Sequence, residues 1–256
     1  MAPKHFVIIH NAFHGKWMWT EFKPLLEAAG HTVTTFDLEA SGDDPRPIES
    51  VASADQFTNP LLDVLESIPE GEKVILVGHS FGGINAAIAM DKYPEKVELA
   101  VFLNALLPDT THRPSYVIEK YMEVFDDWED CEFGCYSINK RAISKIKLGS
   151  TFVRNHLFQL SPVKDYEYAM ERIRVGTFFP EPLAIREKFT EEGYGSIPRV
   201  FISSQQDKGI LTEFQQWEID NFPVKKVYTL EGDHSPMFSN PDVLLAILLE
   251  IANTTF

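Results

Sequence analysis

The stretch KVILVGHSFGG, Lys73 to Gly83, decides the fold. Lys73 to Gly78 is a short apolar run rich in β-branched residues, the composition of a strand buried on both faces. Gly82 to Tyr93, rich in Ala and Ile, reads as a helix. The residues that join them, Gly78-His79-Ser80-Phe81-Gly82, fit G-x-S-x-G, a turn so tight that its serine is held in a strained backbone conformation. Strand and helix then approach closely enough to exclude side chains at the flanking positions, a demand that Gly78, Gly82 and Gly83 meet. Such a turn raises Ser80 above the sheet edge, at the positive end of the following helix dipole. A merely structural turn accounts for the pattern but not for its strand-before, helix-after context.

Outward from this stretch the chain alternates. Upstream, Phe6 to His10 reads as a strand and Trp17 to Ala29 as a helix, with Trp19, Phe22, Leu25 and Leu26 on one side and Gly30 as its stop. Thr32 to Leu38 is strand-like, the loop ASGDDPRPIES is dense in Pro, Gly and Asp, and Asp55 to Ile68 has helical spacing. Downstream, Val97 to Leu103 is a further strand. The order is lost between about Pro108 and Pro180, a stretch rich in aromatics. It resumes with the strand Arg199 to Ser203, the helix Glu213 to Asn221, the strand Lys226 to Leu230 and the helix Pro241 to Ala252. This order predicts an α/β fold, a mostly parallel, doubly wound sheet with right-handed crossovers. Residues 1–107 and 181–256 form its core, and 108–180 form an inserted helical cap over one end.

A serine hydroxyl is a weak nucleophile and needs a base and a group that orients the base. In a sheet of this kind the chain order is serine, then acid, then histidine. The run RVFISSQQDKG offers Asp207 at one strand end, and TLEGDHSP offers His234 at the next. Ser80, Asp207 and His234 thus come from three strand ends that meet at one edge, where ligands bind in open parallel sheets. Asp233 competes with Asp207, but the side chains of neighbours diverge at a strand end. Two backbone N–H groups must face the charge that develops on a substrate oxygen. Phe81, after the serine, supplies one; the loop after the first strand, Asn11-Ala12-Phe13-His14-Gly15, supplies the other, with Ala12 best placed. His10, His14 and His79 cluster nearby, and His79 reads as a shell residue. Glu231 and Asp37 read as solvated or capping groups. Asn11, Phe13, His14 and Ser235, with the cap aromatics Tyr121, Phe125, Trp128 and Phe178, are the candidate substrate contacts.

Composition narrows the function. Hydrophobic residues make up 44%, enough for a sizeable core in 256 residues. The net charge of −15 repels nucleic acid and anionic membranes, so neither is an expected partner. Cys131 and Cys135 fall short of the usual ligand set of a metal site and read as ordinary thiols. No metal or cofactor is expected. The opening MAPKHFVIIHNAF lacks the pattern of a signal peptide, and no apolar run is long enough to span a bilayer, so the expectation is a soluble, cytoplasmic protein.

Six stretches, KHFVIIHNAFHGKWMW, KPLLEAAGHTVTTFDLEASG, EKVILVGHSFGG, VFLNALLPDTTH, EEGYGSIPRVFI and EGDH, resemble the plant methylesterase and hydroxynitrile lyase group of the α/β-hydrolase family. The resemblance runs essentially end to end. It implies Ser80, Asp207 and His234 as a catalytic triad, the Ala12 and Phe81 amides as oxyanion donors, a helical cap and a homodimer. It also implies cleavage of a small methyl ester of a plant specialised metabolite, including alkaloid esters whose acid product then decarboxylates. The alternative is cleavage of cyanohydrins to a carbonyl compound and HCN. In the esterase branch the position of Asn11 is usually Gly and that of Ser235 usually Met. Lyases of one handedness carry Thr and Lys there, and one of the opposite, R-selective type carries Asn at the first. A non-catalytic ligand-binding protein is a third reading, which leaves the three catalytic residue types unexplained.

Overall fold

The computed structural model describes residues 3–256; Met1 and Ala2, at the head of the expected core segment, lie outside the described residues. Its strands are β1 (His5–Ile9), β2 (Thr32–Thr35), β3 (Val74–His79), β4 (Val97–Leu103), β5 (Glu132–Ile138), β6 (Arg141–Lys147), β7 (Arg199–Ser204) and β8 (Lys226–Leu230). Six of them form one sheet in the order β2-β1-β3-β4-β7-β8. Every pairing in it is parallel. The chain winds one way from β1 to β2 and the other way from β3 onward, so the order reverses beside β1 and β3, where such sheets bind ligands.

Helices on both faces explain why β1, β3 and β4 read as continuous apolar runs. Phe6, Ile8, Leu76, Val101 and Phe201 are all within 2% of complete burial. Each such side chain stabilises the fold by roughly 1.5–3 kcal/mol relative to exposure. Two helices expected as single pieces are broken. The first is a 3-10 turn, Lys16–Trp19, followed by an α-helix, Lys23–Ala28, whose first turn holds Pro24. The second divides at Thr58 into Ala54–Phe57 and Asn59–Ser67, with Pro60 opening the latter. The Thr58 hydroxyl donates to Ala54 O (2.6 Å) and accepts from Asn85 Nδ2 (2.8 Å), which fixes the break against the helix that follows Ser80.

Between β4 and β7 the chain leaves the sheet and covers its carboxyl edge. This excursion holds the helices Ser115–Val124, Val163–Met170 and Pro180–Ile185 and a π turn, Val153–Leu157. It is not helical throughout. β5 and β6 form an antiparallel hairpin closed at Asn139 and Lys140, both at positive φ as a two-residue turn requires. Helix Pro180–Ile185 packs on β6 and on helix Ser115–Val124, so the excursion extends beyond residue 180. Both cysteines are free thiols. Among the described residues, no helix is long and apolar enough to cross a membrane.

Candidate active site

β3 delivers Ser80 into a turn with φ +57°, the left-handed region that a non-glycine residue occupies at a cost of about 1–3 kcal/mol. Three hydrogen bonds offset that cost. Ser80 N donates to Leu103 O (3.2 Å), while Ser80 O accepts from Gly83 N (3.0 Å) and Leu106 N (3.1 Å). A Cβ on Gly78 would sit 2.6 Å from Gly82 O, and one on Gly83 would sit 2.3 Å from Leu106 O. The flanking glycines are therefore demanded by close approach of backbones.

His234 follows β8 and turns its Nδ1 to Asp207, 2.9 Å from Oδ2 and 3.0 Å from Oδ1. The carboxylate is buried and receives three further donors. Gly209 N (2.8 Å) and Ile210 N (2.9 Å) reach Oδ1, and Gln215 Nε2 (3.0 Å) reaches Oδ2. An acceptor held this firmly fixes the Nδ1–H tautomer of His234 and leaves Nε2 as its basic atom. Ser80 and His234 line one cavity, without a hydrogen bond between them. Asp233 faces elsewhere: its Oδ2 accepts from Leu160 N, Ser161 N and Ser161 Oγ, and its Oδ1 from Ser235 N. It ties the cap to the His234 loop and does not orient the imidazole.

Peptide geometry aims the two expected amides. In a trans peptide the N–H points opposite to the preceding carbonyl. The Asn11 carbonyl is held by His10 Nδ1–H at 2.7 Å, while His10 Nε2 accepts from Leu38 N at 3.0 Å. The Ser80 carbonyl is held by the two amides named above. Ala12 N–H and Phe81 N–H therefore point away from these anchors, and neither is spent on a backbone hydrogen bond. Burial lowers the pKa of His10 and keeps it in this neutral form at neutral pH.

The cavity is lined by Asn11, Ala12, Phe13, Ser80, Leu106, Tyr121, Trp128, Leu148, Phe152, Leu157, Phe178, Gly209, Ile210 and His234. It leaves only about 30 Å³ for the centres of water-sized molecules, room for a very small ligand without movement of the walls. Asn11 is buried against it, and its Oδ1 has no hydrogen-bond partner. Such an unpaired group costs about 1–3 kcal/mol and is available to a substrate. Tyr121 donates its hydroxyl to Gly209 O at 2.8 Å; burial, with the Asp207 charge, raises its pKa well above the usual value, so it stays protonated.

Three of the expected contacts do not reach this surface. His14 is fully buried, its Nδ1–H on Ala12 O at 2.9 Å and its ring stacked on Phe158. Burial pushes its pKa down to about 3. Phe125 lies behind the wall, its ring against Tyr121 and Trp128. Ser235 is fully buried beneath His234, its amide on Asp233. His79 is the shell residue expected: its Nε2–H donates to His234 O at 2.7 Å. The sequence reading passed over Asn104, whose amide reaches Ser204 Oγ (2.8 Å) and His234 O (3.3 Å), and Gln215 beside Asp207. No motif marks either one; only the meeting of three strand ends reveals them. Gly209 was also missed, and a Cβ there would lie 2.9 Å from the His234 ring.

With this geometry in place, comparison with known proteins gives one answer. The family described as alpha/beta hydrolase fold matches residues 4–241. An alpha-hydroxynitrile lyase of Arabidopsis thaliana is 51% identical over 97% of this chain and 96% of its own length. Methylesterase 1 of Arabidopsis thaliana is 46% identical, over 98% and 96%. A crystal structure of polyneuridine aldehyde esterase superposes with a TM-score of 0.95 at 39% identity, covering 98% of this chain and 100% of that one. The chain belongs to the α/β-hydrolase family, in the group that holds plant methylesterases and hydroxynitrile lyases.

Proposed function

We propose that this protein is a carboxylic-ester hydrolase acting on a small methyl ester. The observation that carries the proposal is one cavity lined by a strained Ser80, by His234 held on Asp207 and by Ala12, with the Ala12 and Phe81 amides both free of backbone hydrogen bonds. His234 Nε2 takes the Ser80 proton as the hydroxyl oxygen attacks the ester carbonyl. The Ala12 and Phe81 amides receive the oxyanion, worth about 3–4 kcal/mol per donor in such sites. His234 then protonates the leaving alcohol, and water, deprotonated by the same imidazole, releases the acid. A β-oxo acid product would go on to lose CO₂; that the polyneuridine aldehyde esterase shares the fold so closely supports an alkaloid ester as one candidate. The substrate is small or is admitted by movement of Trp128 and Phe178.

Asn11 favours a second reading. An unpaired amide beside Ser80 suits a hydroxyl better than an oxyanion, as in a cyanohydrin. Ser80 and His234 would then act as an acid–base pair, removing the hydroxyl proton while the C–C bond to cyanide breaks, with no acyl-enzyme. A panel of methyl esters, p-nitrophenyl acetate and mandelonitrile separates the two. Ester turnover that disappears in Ser80→Ala supports hydrolysis; cyanide release with no ester turnover overturns it in favour of the lyase.

A further inference from the structure

We propose that Asp127, Glu129 and His156 bind a divalent transition-metal cation of the zinc type, outside the cavity, where the cap meets the turn that carries Asp207. Their ligating atoms all lie within 4.8 Å of one another. His156 Nε2 is 3.5 Å from Asp127 Oδ2 and 3.8 Å from Glu129 Oε1. Ligands around a tetrahedral zinc with bonds of about 2.0 Å stand about 3.3 Å apart, so only small side-chain shifts separate this arrangement from a coordination shell.

The imidazole is the observation that points to an ion. Its side chain is only 9% exposed. Its Nδ1 lies 3.1 Å from Lys208 O, a group that can only accept, so the proton sits there. Nε2 therefore faces the two carboxylates at 3.5 Å and 3.8 Å, beyond a short hydrogen bond to either and at the spacing of ligands that share a cation. Three acceptors facing one point repel unless positive charge lies among them. A ring N–H anchored on a backbone carbonyl while the other nitrogen faces outward is the usual posture of a metal-binding histidine. Phe125 packs edge-on against the ring and Phe152 stacks on it, which restrains its rotation. Asn155 Nδ2 holds Glu129 Oε1 at 2.8 Å. Lys208 and Asp126 also border this crevice, and Lys208 makes no ion pair with either carboxylate. One imidazole with two carboxylates suits zinc, or cobalt in its place, better than the all-oxygen ions. A bound ion would tie the loop after helix Ser115–Val124 to the Val153–Leu157 turn and, through Lys208 O, to the neighbour of Asp207. It would hold the cap closed without touching the reacting atoms.

The test uses the full chain, freed of metal by chelation, titrated with Zn²⁺ and with Co²⁺. The expected result is saturable binding of one equivalent, a rise in Tm, and a Co²⁺ spectrum without thiolate charge transfer, which excludes Cys131 and Cys135 as ligands. Asp127→Asn, at an exposed position, should weaken binding at least about tenfold and leave metal-free ester turnover and Tm unchanged. His156→Gln should abolish the one-equivalent site. Absence of saturable binding, thiolate ligation, or equal affinity in wild type and both variants would overturn the proposal and leave a protonated His156 paired with the two carboxylates.

Discussion

Asp207→Asn keeps the shape of the side chain and replaces one acceptor oxygen, which takes two hydrogen bonds, with a donor. The asparagine oxygen can hold the Oδ1 place and keep Gly209 N and Ile210 N. Its amino group then takes the Oδ2 place, facing Gln215 Nε2 at 3.0 Å and His234 Nδ1 at 2.9 Å, both donors, and His234 Nδ1–H is left with only the asparagine oxygen at 3.0 Å, which Gly209 N and Ile210 N already share. Gln215 cannot turn its amide to help, because its Nε2 also donates to Ile210 O at 2.6 Å. Rotating the asparagine by a half-turn sets its amino group against two backbone N–H groups, which is worse. The conflict is relieved when His234 carries its proton on Nε2, the atom that has to accept the proton of Ser80. The wrong tautomer costs about 10,000-fold in kcat in such sites, or about 5.4 kcal/mol of transition-state stabilisation. The crowded donors cost about 1–3 kcal/mol of folding stability, a fall in Tm of a few degrees for a chain of this length. KM should change little, since Asp207 does not line the cavity. Steady-state kinetics on the best substrate of the panel, with a thermal melt, reads all three quantities. A variant that keeps kcat within tenfold of wild type would refute the reasoning.

Three further substitutions probe other parts of the account. Asn11→Gly should raise ester turnover if the amide crowds the oxyanion site and should abolish cyanohydrin cleavage if the amide binds the hydroxyl; unchanged rates in both assays would remove Asn11 from the site. Gly209→Ala places a Cβ 2.7 Å from Leu157 and 2.9 Å from His234, so the imidazole must shift; kcat should fall about 100-fold, and an unaltered kcat would show that Leu157 alone absorbs the strain. His14 stays neutral in the folded chain down to about pH 3, while the unfolded chain takes up the proton below its ordinary pKa of 6.5. This stability is present above pH 6.5 and is lost as pH falls toward 3, by at most about 1.4 kcal/mol per pH unit. His14→Gln should therefore be most destabilised relative to wild type at pH 7, and the gap measured by urea unfolding should narrow by pH 5; a constant gap would contradict the burial argument.

The Ser80 turn and the strand ends that present Asp207 and His234 were legible because each is a local pattern: an apolar run, then a residue type dictated by a turn or by chain order. The broken helices were not: Thr58 acts through its contact with Asn85, which helical spacing ignores, and Pro24 and Pro60 restart the helix locally within an apolar spacing that reads as continuous. The β5–β6 hairpin did leave a trace, an Asn139-Lys140 turn between two alternating runs, but aromatic residues scattered through the same stretch obscured its period of two. The pocket was the least legible part. Tyr121, Phe125 and Trp128 look equivalent along the chain, yet packing puts Phe125 behind the other two. His10 and His14 each hold a nearby carbonyl, but only His10 also accepts from Leu38 N while His14 stacks on Phe158, a difference that depends on a loop conformation with Phe13 at φ +70°. Asn104 and Asp233 are single polar side chains whose partners lie on distant strands and on the cap, and Gln215 reaches back to Asp207 across a turn that no motif marks.

The central claim is that Ser80 is activated by His234. Reaction with a fluorophosphonate, followed by peptide mapping, tests it most directly. The account predicts one equivalent incorporated on the peptide that contains Ser80, with labelling slowed by orders of magnitude in His234→Ala. Turnover in the wild type with no label on Ser80, or labelling that His234→Ala leaves unchanged, would contradict it.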